Sequence, residues 1–184
     1  MCGYALAESG KLKGGGVVTT VMSNLGLEES LAASGLDLVR AQVGDRHVVE
    51  SMREGGYNLG GEQSGHVIFL DHGTTGDGLL TALQVLAIMA EKRVPLSELA
   101  TGFKHYPQVM VNIPVAQKRD LDELPSLTAA IAEVEEKLAG KGRVLIRFSG
   151  TELKARVMVE GDDETKVSEY ANHLARVLAD ALAN

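Results

Sequence analysis

The first hundred residues alternate short β-branched runs with helix-like segments, and this alternation limits the fold more than any other feature of the chain. Strands are expected at residues 16–22, 36–43 and 67–70, and helices at 25–33, 45–56 and 76–92. Strands that alternate with helices typically form a parallel or mixed sheet with helices on its faces. We therefore predict a three-layer α/β/α domain with a mixed sheet over residues 1–102.

The last helix of this domain, predicted over residues 76–92, is rich in apolar side chains. These include Leu79, Leu80, Leu83, Leu86, Ala87 and Ala90. A helix that is apolar all round is normally buried, so we expect it to pack against the sheet. Residues 94–103, which contain Pro95 and Gly102, are predicted to link this domain to a second one.

The rest of the chain follows the order strand, helix, strand, strand, helix. The strands are expected at residues 108–115, 143–148 and 154–160, and the helices at 127–139 and 164–183. Each helix carries apolar residues at spacings of three or four, which place them on one face. Residues 103–184 are therefore predicted to form a smaller α+β domain, an antiparallel sheet with two packed helices.

The composition indicates which kinds of partner the protein can bind and in which cell compartment it is expected. The net charge of −7 argues against a nucleic-acid surface, which normally carries a basic stripe. Cys2 is the single cysteine, so no intrachain disulfide forms and a cytoplasmic location is expected. The longest apolar run, residues 79–90, is shorter than the roughly 20 residues that span a bilayer. No nucleic-acid or membrane partner is predicted.

A loop between the last two predicted strands has the chemistry of a phosphate site. It runs Arg147-Phe148-Ser149-Gly150-Thr151-Glu152. Arginine offers a planar fork of donors that matches phosphate oxygens. Ser149 and Thr151 add hydroxyl donors, and Gly150 lets backbone N–H groups approach an anion. The loop predicts anion recognition, with an ordinary hairpin turn as the alternative.

Arg156 is a candidate for a second fork at the same site. Arg147 and Ser149 share one face of their predicted strand, because successive side chains point to opposite sides. Arg156, on the returning strand, can lie close to that face if the register allows it. The alternative is a surface pairing of Arg156 with Glu152 or Glu160, which contributes little to stability.

A second polar cluster precedes the strand predicted at residues 67–70. It runs Gly60-Gly61-Glu62-Gln63-Ser64-Gly65-His66. A carboxylate accepts from two adjacent sugar hydroxyls and a serine hydroxyl adds one more hydrogen bond, so Glu62 and Ser64 are candidate sugar ligands with Gln63 beside them. His66 is suited to move a proton or to pair with a phosphate. The alternative for His66 is a residue at the start of a strand.

Two further groups of charged residues have less specific patterns. Asp45 and Arg46 lie between a predicted strand and helix, where ligands of α/β sheets often bind. Asp45 is equally suited to cap the helix. Asp71, His72 and Asp77 lack the spacing of a metal site, and no metal is predicted in this chain.

The two loops, taken together and in this order, resemble the C-terminal half of the α-D-phosphohexomutases. The resemblance extends to residues 21–27, 43–46, 56–66, 74–80 and 156–161, so it covers nearly the whole chain. Gln63 favours the bacterial branch that interconverts glucosamine 6-phosphate and glucosamine 1-phosphate. The branches that act on mannose or glucose phosphates usually carry another residue at this position.

Members of this family have four domains, and the resemblance implies a role for each. The first supplies a phosphoserine, the second an aspartate-rich Mg²⁺ loop, the third the sugar loop and the fourth the phosphate loop. This chain resembles only the third and fourth domains and contains neither of the other two loops. It is expected to be an inactive, substrate-binding fragment. Its expected partners are a phosphorylated hexosamine and the missing N-terminal domains, which would hold Mg²⁺.

The resemblance also implies roles for single residues. Glu62 and Ser64 would bind sugar hydroxyls, and His66 would approach the reacting end as an accessory residue. The phosphate that does not react would be held by Arg147, Ser149, Gly150 and Thr151. The implied reaction passes through a bisphosphate, with the phosphoserine first giving and then taking back a phosphoryl group.

One departure from the family pattern concerns the phosphate loop. Phe148 and Leu153 stand where the family often or usually has proline. Loss of a fixed φ is expected to loosen the loop. Two other functions remain open, a free-standing sugar-phosphate-binding module and a fragment of a mutase for mannose or glucose phosphates.

Overall fold

The computed structural model describes residues 1–100 and 102–183. Thr101, within the predicted linker, and Asn184, at the end of the predicted second domain, lie outside the described residues. The chain divides into two compact units, Met1–His105 and Tyr106–Asn184. Each unit has its own sheet and its own hydrophobic core. None of the described helices combines the length and the hydropathy needed to cross a bilayer.

The first unit contains a mixed four-stranded sheet with the strand order β2-β1-β3-β4. Its strands are β1 (Gly16–Thr20), β2 (Asp37–Ala41), β3 (Leu59–Gly61) and β4 (Val67–Phe69). Its helices are α1 (Cys2–Glu8), α2 (Leu25–Ala32), α3 (Asp45–Gly55), α4 (Gly78–Lys92) and α5 (Leu96–Leu99). β1 pairs parallel with β2 and β3, and β3 pairs antiparallel with β4. The carboxyl ends of β1, β2 and β3 therefore share one edge, where α/β sheets bind ligands.

The alternation of side chains along β1 explains the layers. Val18 is buried in one core cluster with Val48 and Met52, so α3 covers this face of the sheet. Val17 points to the other face, where a Cβ built on Gly3 of α1 would lie 3.1 Å from its Cγ2. β-branched residues on both faces of a strand are typical of a sheet covered on both sides. The predicted α/β/α layering with a mixed sheet is confirmed.

β3 has no counterpart among the strands predicted from the sequence. Two of its three residues are glycines, so the period-2 pattern that reports a strand cannot appear. Glycine is required at Gly60, where a Cβ would lie 2.5 Å from Met52 Sδ and 2.9 Å from Val48 Cγ1. α3 thus packs directly on the strand backbone, and the residue that permits this packing removes the sequence signal.

Two local expectations in the first unit differ from the structure. Gly44, with a φ of 124°, is the N-cap of α3, and Asp45 lies in the first turn instead. A carboxylate in the first turn still interacts favourably with the helix dipole. The segment 94–103, predicted as a linker, contains α5, and the first unit extends to His105.

α4 has nearly its predicted span but not its predicted burial. Ile88 is buried at 9% exposure, which confirms an inward-facing side. Leu79, Leu83 and Leu86, however, are 75%, 57% and 56% exposed. The expectation that the apolar residues of this helix are all buried is therefore wrong for these leucines, because the chain supplies a covering layer on one side only.

The second unit contains a three-stranded antiparallel sheet with the order β5-β7-β6. Its strands are β5 (Gln108–Pro114), β6 (Gly142–Phe148) and β7 (Lys154–Gly161), and its helices are α6 (Pro125–Leu138) and α7 (Glu164–Ala183). α6 begins two residues earlier than predicted, because Pro125 occupies the first turn, where proline is favoured. The predicted antiparallel sheet with two packed helices is confirmed.

The core of the second unit lies between one face of its sheet and the two helices. Val157 and Val159 of β7 are buried with Val134 of α6 and with Leu174 and Leu178 of α7. Because side chains alternate along a strand, Arg156 and Met158, on either side of Val157, point to the opposite face of the sheet. That opposite face carries the candidate phosphate-binding arginines.

Candidate functional site

The candidate sugar loop connects β3 and β4 at the ligand edge of the first sheet. Its base is closed by the pairing of Gly61 with Val67 and by the Glu62 N–H, which donates to the His66 carbonyl at 2.9 Å. Gly65 has a φ of 101°, a conformation that favours glycine, and its N–H donates to the Glu62 carbonyl at 3.0 Å. This tight hairpin brings the polar side chains of the loop together.

Glu62 is held by hydrogen bonds to both carboxylate oxygens. Oε1 accepts from the Gly44 N–H at 2.7 Å, and Oε2 accepts from the Ser64 hydroxyl at 3.2 Å. The side chain of Glu62 is only 11% exposed. A carboxylate has about four lone-pair sites, so Glu62 keeps capacity for sugar hydroxyls while its position is set by the protein.

The hydrogen bonds of Ser64 indicate which ring nitrogen of His66 carries the proton. The Glu62 carboxylate only accepts, so the single Ser64 proton goes to Glu62 and Ser64 Oγ accepts from His66 Nδ1–H at 3.2 Å. A histidine that activates a serine needs the opposite arrangement, with the serine donating to the ring. The three side chains therefore form a hydrogen-bonding surface and not a nucleophilic triad, and they leave His66 Nε2 for a ligand.

Residues outside the predicted set support this loop. Thr19, at the carboxyl end of β1, donates from Oγ1 to the Gly61 carbonyl at 3.0 Å and is hydrogen-bonded to Ser23. A Cβ built on Gly76 would lie 2.9 Å from His66 Cδ2, so the segment before α4 packs on the imidazole. Position at a strand end was the only sequence signal for Thr19, and such a position alone does not identify a supporting residue.

The turn after β2 contributes to the sugar loop through its backbone. The Gly44 N–H reaches the loop, whereas the Arg46 side chain pairs with Glu50 at 2.8 Å along α3. Asp45 Oδ1 accepts from the Arg46 N–H at 2.8 Å. The Gln63 side chain is exposed on the loop. The structure thus brings the backbone of this turn to the site, while the side chains of Asp45 and Arg46 make hydrogen bonds within α3.

The candidate phosphate loop connects β6 and β7 in the second unit. The Ser149 N–H donates to the Lys154 carbonyl at 2.8 Å, and Ser149 Oγ accepts from the Glu152 N–H at 3.3 Å. Ser149 is buried, whereas Gly150 and Thr151 are exposed. A Cβ built on Gly150 would meet no atom within 4 Å, so its backbone is open to a ligand.

The two residues that stand at the family's proline positions are held in different ways. Phe148 packs against the hydrophobic core at the base of the loop. Leu153 is exposed, but its carbonyl accepts from the Val115 N–H at 3.0 Å, next to the end of β5. Side-chain packing and a backbone hydrogen bond therefore restrain the loop at the positions where a proline ring would fix φ.

Arg147 and Arg156 lie directly opposite each other in the register of β6 and β7. The Nε atom of each is buried and has no hydrogen-bond partner among the described residues. Burial, and then the positive charge of Arg156, lower the pKa of the Arg147 guanidinium. Like charges directly opposite each other are destabilising. An anion that accepts from both guanidinium groups would remove this repulsion, which makes the pair the clearest sign of an anion site.

The predicted alternative pairing of Arg156 is partly present. Arg156 Nη2 lies 3.4 Å from Glu152 Oε2, but Glu160 pairs with Arg143 at 2.6 Å instead. Glu152 also accepts from Lys154 Nζ at 2.7 Å, and this hydrogen bond is the main cause that lowers the Glu152 pKa. The contact between Arg156 and Glu152 is long and exposed, and such surface pairs are weak. It leaves Arg156 available to a phosphate.

Two residues beside the phosphate loop were not predicted. Asn112 of β5 lies opposite Arg156 in the register, which extends the row of polar side chains across all three strands. Lys118 Nζ donates to the Gly150 carbonyl at 3.3 Å and adds a positive charge to the loop. The strand order alone makes Asn112 a neighbour of Arg156, so the sequence carries no local signal for it.

Asp71 and Asp77, two acidic residues outside the loops, have structural partners. Asp71 accepts from Lys13 Nζ at 2.6 Å and from Asn58 Nδ2 at 2.8 Å. The hydrogen bond from Lys13, and next that from Asn58, lower the pKa of Asp71. Within residues 1–100 and 102–183, no group of three or more His, Cys, Asp or Glu is arranged to hold a metal ion.

Two family models match the chain in sequence order. The model of the phosphoglucomutase/phosphomannomutase α/β/α domain III matches residues 1–106, and the model of the C-terminal domain of the same family matches residues 110–177. The first match alone covers more than half of the chain. It includes the sugar loop, and the second match includes the phosphate loop.

Curated relatives and solved structures agree with these matches. The phosphoglucosamine mutase of Myxococcus xanthus is 53% identical over 183 residues, covering 100% of this chain and 40% of that relative. That of Anaeromyxobacter is 56% identical over 166 residues. Aspergillus fumigatus N-acetylphosphoglucosamine mutase, solved with GlcNAc-6P and magnesium, has the same fold with a TM-score of 0.78 at 24% identity, over 98% of this chain and 42% of that one.

The chain thus spans about two fifths of the length of the first curated relatives that it matches. Its two units correspond in order to the domain III model and the C-terminal model, and the Myxococcus xanthus and Anaeromyxobacter relatives are both phosphoglucosamine mutases. The chain therefore belongs to the phosphoglucomutase/phosphomannomutase family and represents the C-terminal portion of a member similar to phosphoglucosamine mutase.

Proposed function

We propose that this chain is the substrate-binding C-terminal portion of a phosphoglucosamine mutase, the enzyme that interconverts glucosamine 6-phosphate and glucosamine 1-phosphate. The observation that carries the proposal is the facing pair Arg147 and Arg156, beside an open Ser-Gly-Thr loop. Their buried Nε atoms have no hydrogen-bond partner in the part of the chain that the structure describes. The shared name of the 51–56% identical relatives supports the choice of substrate.

The proposed sugar-binding domain comprises residues 1–102. In it, the Glu62 carboxylate accepts from two neighbouring sugar hydroxyls while the Gly44 N–H and the Ser64 hydroxyl keep it in place. Ser64 contributes a further contact to the sugar. The Nε2 atom of His66 faces the reacting end of the substrate as an accessory group, because Nδ1 is committed to Ser64. Asp45, Arg46 and Gln63 are proposed as a second tier of substrate-binding residues, behind Glu62, Ser64 and His66.

The proposed phosphate-binding domain comprises residues 103–184. Arg147 and Arg156 bind the non-reacting phosphate as paired forks. The Ser149 hydroxyl accepts from the Glu152 N–H, so its own proton remains available to a phosphate oxygen. The exposed Gly150 and Thr151 supply a backbone N–H and a hydroxyl. Flexible arginines and open loop donors can accept either the 1-phosphate or the 6-phosphate.

This chain contributes binding and orientation to a reaction whose other groups lie elsewhere. Positioning and charge stabilisation supply most of the catalysis in phosphoryl transfer. The phosphoserine that gives its phosphoryl group to one end of the sugar and takes one back from the other belongs to an N-terminal domain. Mg²⁺, which neutralises charge on the transferred phosphoryl group, belongs to that missing part as well. We place the enzyme in the cytoplasm, where the single cysteine of this chain would stay reduced.

Calorimetric titration with glucosamine 6-phosphate tests the proposal. We expect wild type to bind and Arg147→Ala to bind roughly ten- to hundredfold more weakly, since a hydrogen bond to a charged group contributes about 1.5–3 kcal/mol. Arg176→Ala is the matched control. It removes the same charge from the exposed side of α7, on the helical side of the sheet, and should leave affinity unchanged.

The same titration separates the proposal from its alternatives. Equal binding by wild type and Arg147→Ala would refute the assignment of the phosphate loop. Tighter binding of mannose 6-phosphate or glucose 6-phosphate than of glucosamine 6-phosphate would indicate a sibling mutase. A free-standing sugar-phosphate-binding module would bind sugar phosphates yet gain no activity when joined to the N-terminal part of a relative.

A further inference from the structure

An apolar face of α4 is left uncovered in this chain. The α4 outer face consists of Leu79, Ala82, Leu83, Leu86, Ala87 and Ala90, all of them exposed. These residues recur every three or four positions along the chain, which places them on one side of the helix. Contiguous exposed apolar patches mark interaction surfaces, and alanines between leucines allow another element to approach closely.

Contacts at both ends of α4 hold the helix in its orientation. Asp77 caps its first turn, accepting on Oδ1 from the N–H groups of Leu79 and Leu80 at 2.9 Å each. Lys92 at its end bonds to Glu8 of α1. Ile88, on the opposite side of the helix, is buried, and rotation of the helix would expose it. The orientation that buries Ile88 therefore leaves the outer face available to a partner.

We infer that the α4 outer face docks the N-terminal part of a phosphoglucosamine mutase, the domains that precede the matched region in the relatives. This inference rests on the proposed function. The chain matches only the domain III and C-terminal family models and spans 40% of the Myxococcus xanthus relative. Most of the length of such a protein is thus available to cover a surface that these two domains leave bare.

The position of the outer face explains why this partner fits. The face begins at Leu79, directly after the segment in which Gly76 packs on the ring of His66. A domain lying along α4 is therefore brought to the side of the candidate sugar loop. The nucleophile and the metal that this chain lacks are required there. A second copy of this chain would bring another sugar loop and neither of those groups.

Cysteine labelling tests the docking. In a Cys2→Ser background, Leu83→Cys reports the outer face, and Ala132→Cys, exposed on α6, is the matched control. Each variant is made in this chain and in a chimera that joins the preceding part of the Myxococcus xanthus relative to residues 1–184. We expect maleimide to react at least tenfold more slowly with Leu83→Cys in the chimera than in this chain, and equally with the control.

Equal labelling of Leu83→Cys in the two proteins would overturn the inference. So would protection in this chain alone together with sedimentation as a dimer that Leu83→Glu converts to a monomer, because a second copy would then cover the face. If the chimera does not fold, a cysteine is placed at the aligned position of the intact Myxococcus xanthus relative. Slow maleimide labelling there would support the docking, and labelling as fast as in this chain would overturn it.

Activity distinguishes this inference from the proposed function. A folded chimera that protects Leu83→Cys but does not interconvert glucosamine phosphates would contradict the function and keep the docking surface. An active chimera in which Leu83→Cys reacts freely would contradict the docking surface and keep the function.

Discussion

At the scale of single residues, Gly150 and Glu62 are positions where a substitution can change the proposed ligand binding without changing the fold. Gly150 has no tertiary contact that requires glycine, unlike Gly60, whose missing Cβ makes room for α3. Glu62 is buried enough to be held by the protein, and its charge is available to a ligand. Substitutions at these two positions therefore test one loop each with little effect on the fold.

Gly150→Ala should weaken phosphate binding without changing stability. The new methyl group meets only open space in this chain, but it occupies the side from which an anion would approach the backbone. We expect the free energy of unfolding to stay within about 0.5 kcal/mol of wild type and the affinity for inorganic phosphate to fall several-fold, measured by urea titration and by calorimetry. Gly73→Ala, at an equally open position in the first unit, is the control. Unchanged phosphate affinity would contradict the assigned role.

Glu62→Gln should weaken sugar binding selectively. The amide oxygen can still accept from the Gly44 N–H, so the loop should keep its shape, but hydrogen bonds to a charged acceptor are stronger by about 1 kcal/mol. We expect roughly fivefold weaker binding of glucosamine 6-phosphate and unchanged binding of inorganic phosphate. A parallel loss for both ligands would show that Glu62 acts through the fold and not on the sugar.

At the scale of elements, a polar clamp ties the segment before β1 to the ends of β3 and β4. Asn58 donates to the Lys11 carbonyl at 2.9 Å and accepts from the Lys13 N–H at 2.9 Å. Its amide also donates to Asp71, which pairs with Lys13. The buried Asn58 amide satisfies two backbone groups outside the sheet ladder, and the exposed Asp71 carboxylate holds that amide in place. The clamp thus secures the short hairpin that presents the sugar loop.

Asp71→Asn should lower stability in a pH-dependent manner. The Lys13 hydrogen bond and then the Asn58 hydrogen bond lower the folded-state pKa of Asp71 from its ordinary value of 3.8. A depressed carboxyl pKa contributes stability that is present above the unfolded-state pKa and is lost as the pH falls through the folded-state pKa. The free energy of unfolding, measured by urea titration, should therefore be higher for wild type than for the variant at pH 7. The two values should converge below pH 3.8, as Asp71 becomes protonated in the folded state. A difference that stays constant from pH 7 to pH 2.5 would exclude the charge as its cause.

At the scale of the whole molecule, the chain combines two candidate binding loops with an uncovered helix face. The two units carry complete cores, but the described residues include no metal-binding group and the sequence has no phosphoserine loop. The proposed role, substrate binding without a nucleophile, predicts that the chain alone binds substrate and does not convert it.

This chain alone should bind glucosamine 6-phosphate and leave it unchanged. We expect ³¹P NMR to detect no glucosamine 1-phosphate after incubation with the chain, whereas the chimera with the preceding part of the Myxococcus xanthus relative should convert the substrate. Interconversion by the purified chain alone would show that its own residues include a nucleophile. An inactive, folded chimera would favour the free-standing binding module.

The spans of most elements could be predicted because their signals are local. The helical pattern gave α4 nearly to the residue, and β-branched runs located β1, β5, β6 and β7. β3 could not be predicted, since glycines carry no periodicity. Arg147 and Ser149 were recognisable as candidate phosphate ligands from their chemistry. The hydrogen bond from Gly44 to Glu62 and the position of Asn112 could not be found, because both join residues far apart in the chain.

The sequence by itself determined the element order, the two loops and their resemblance to a family, since these depend on local pattern and residue chemistry. Only the tertiary structure decided that Arg147 faces Arg156, because one residue of register shift would send every side chain of the strand to the other face. It also decided that the leucines of α4 lie outside. Apolar periodicity shows that a helix face will be covered, and only the fold shows whether the chain itself covers it.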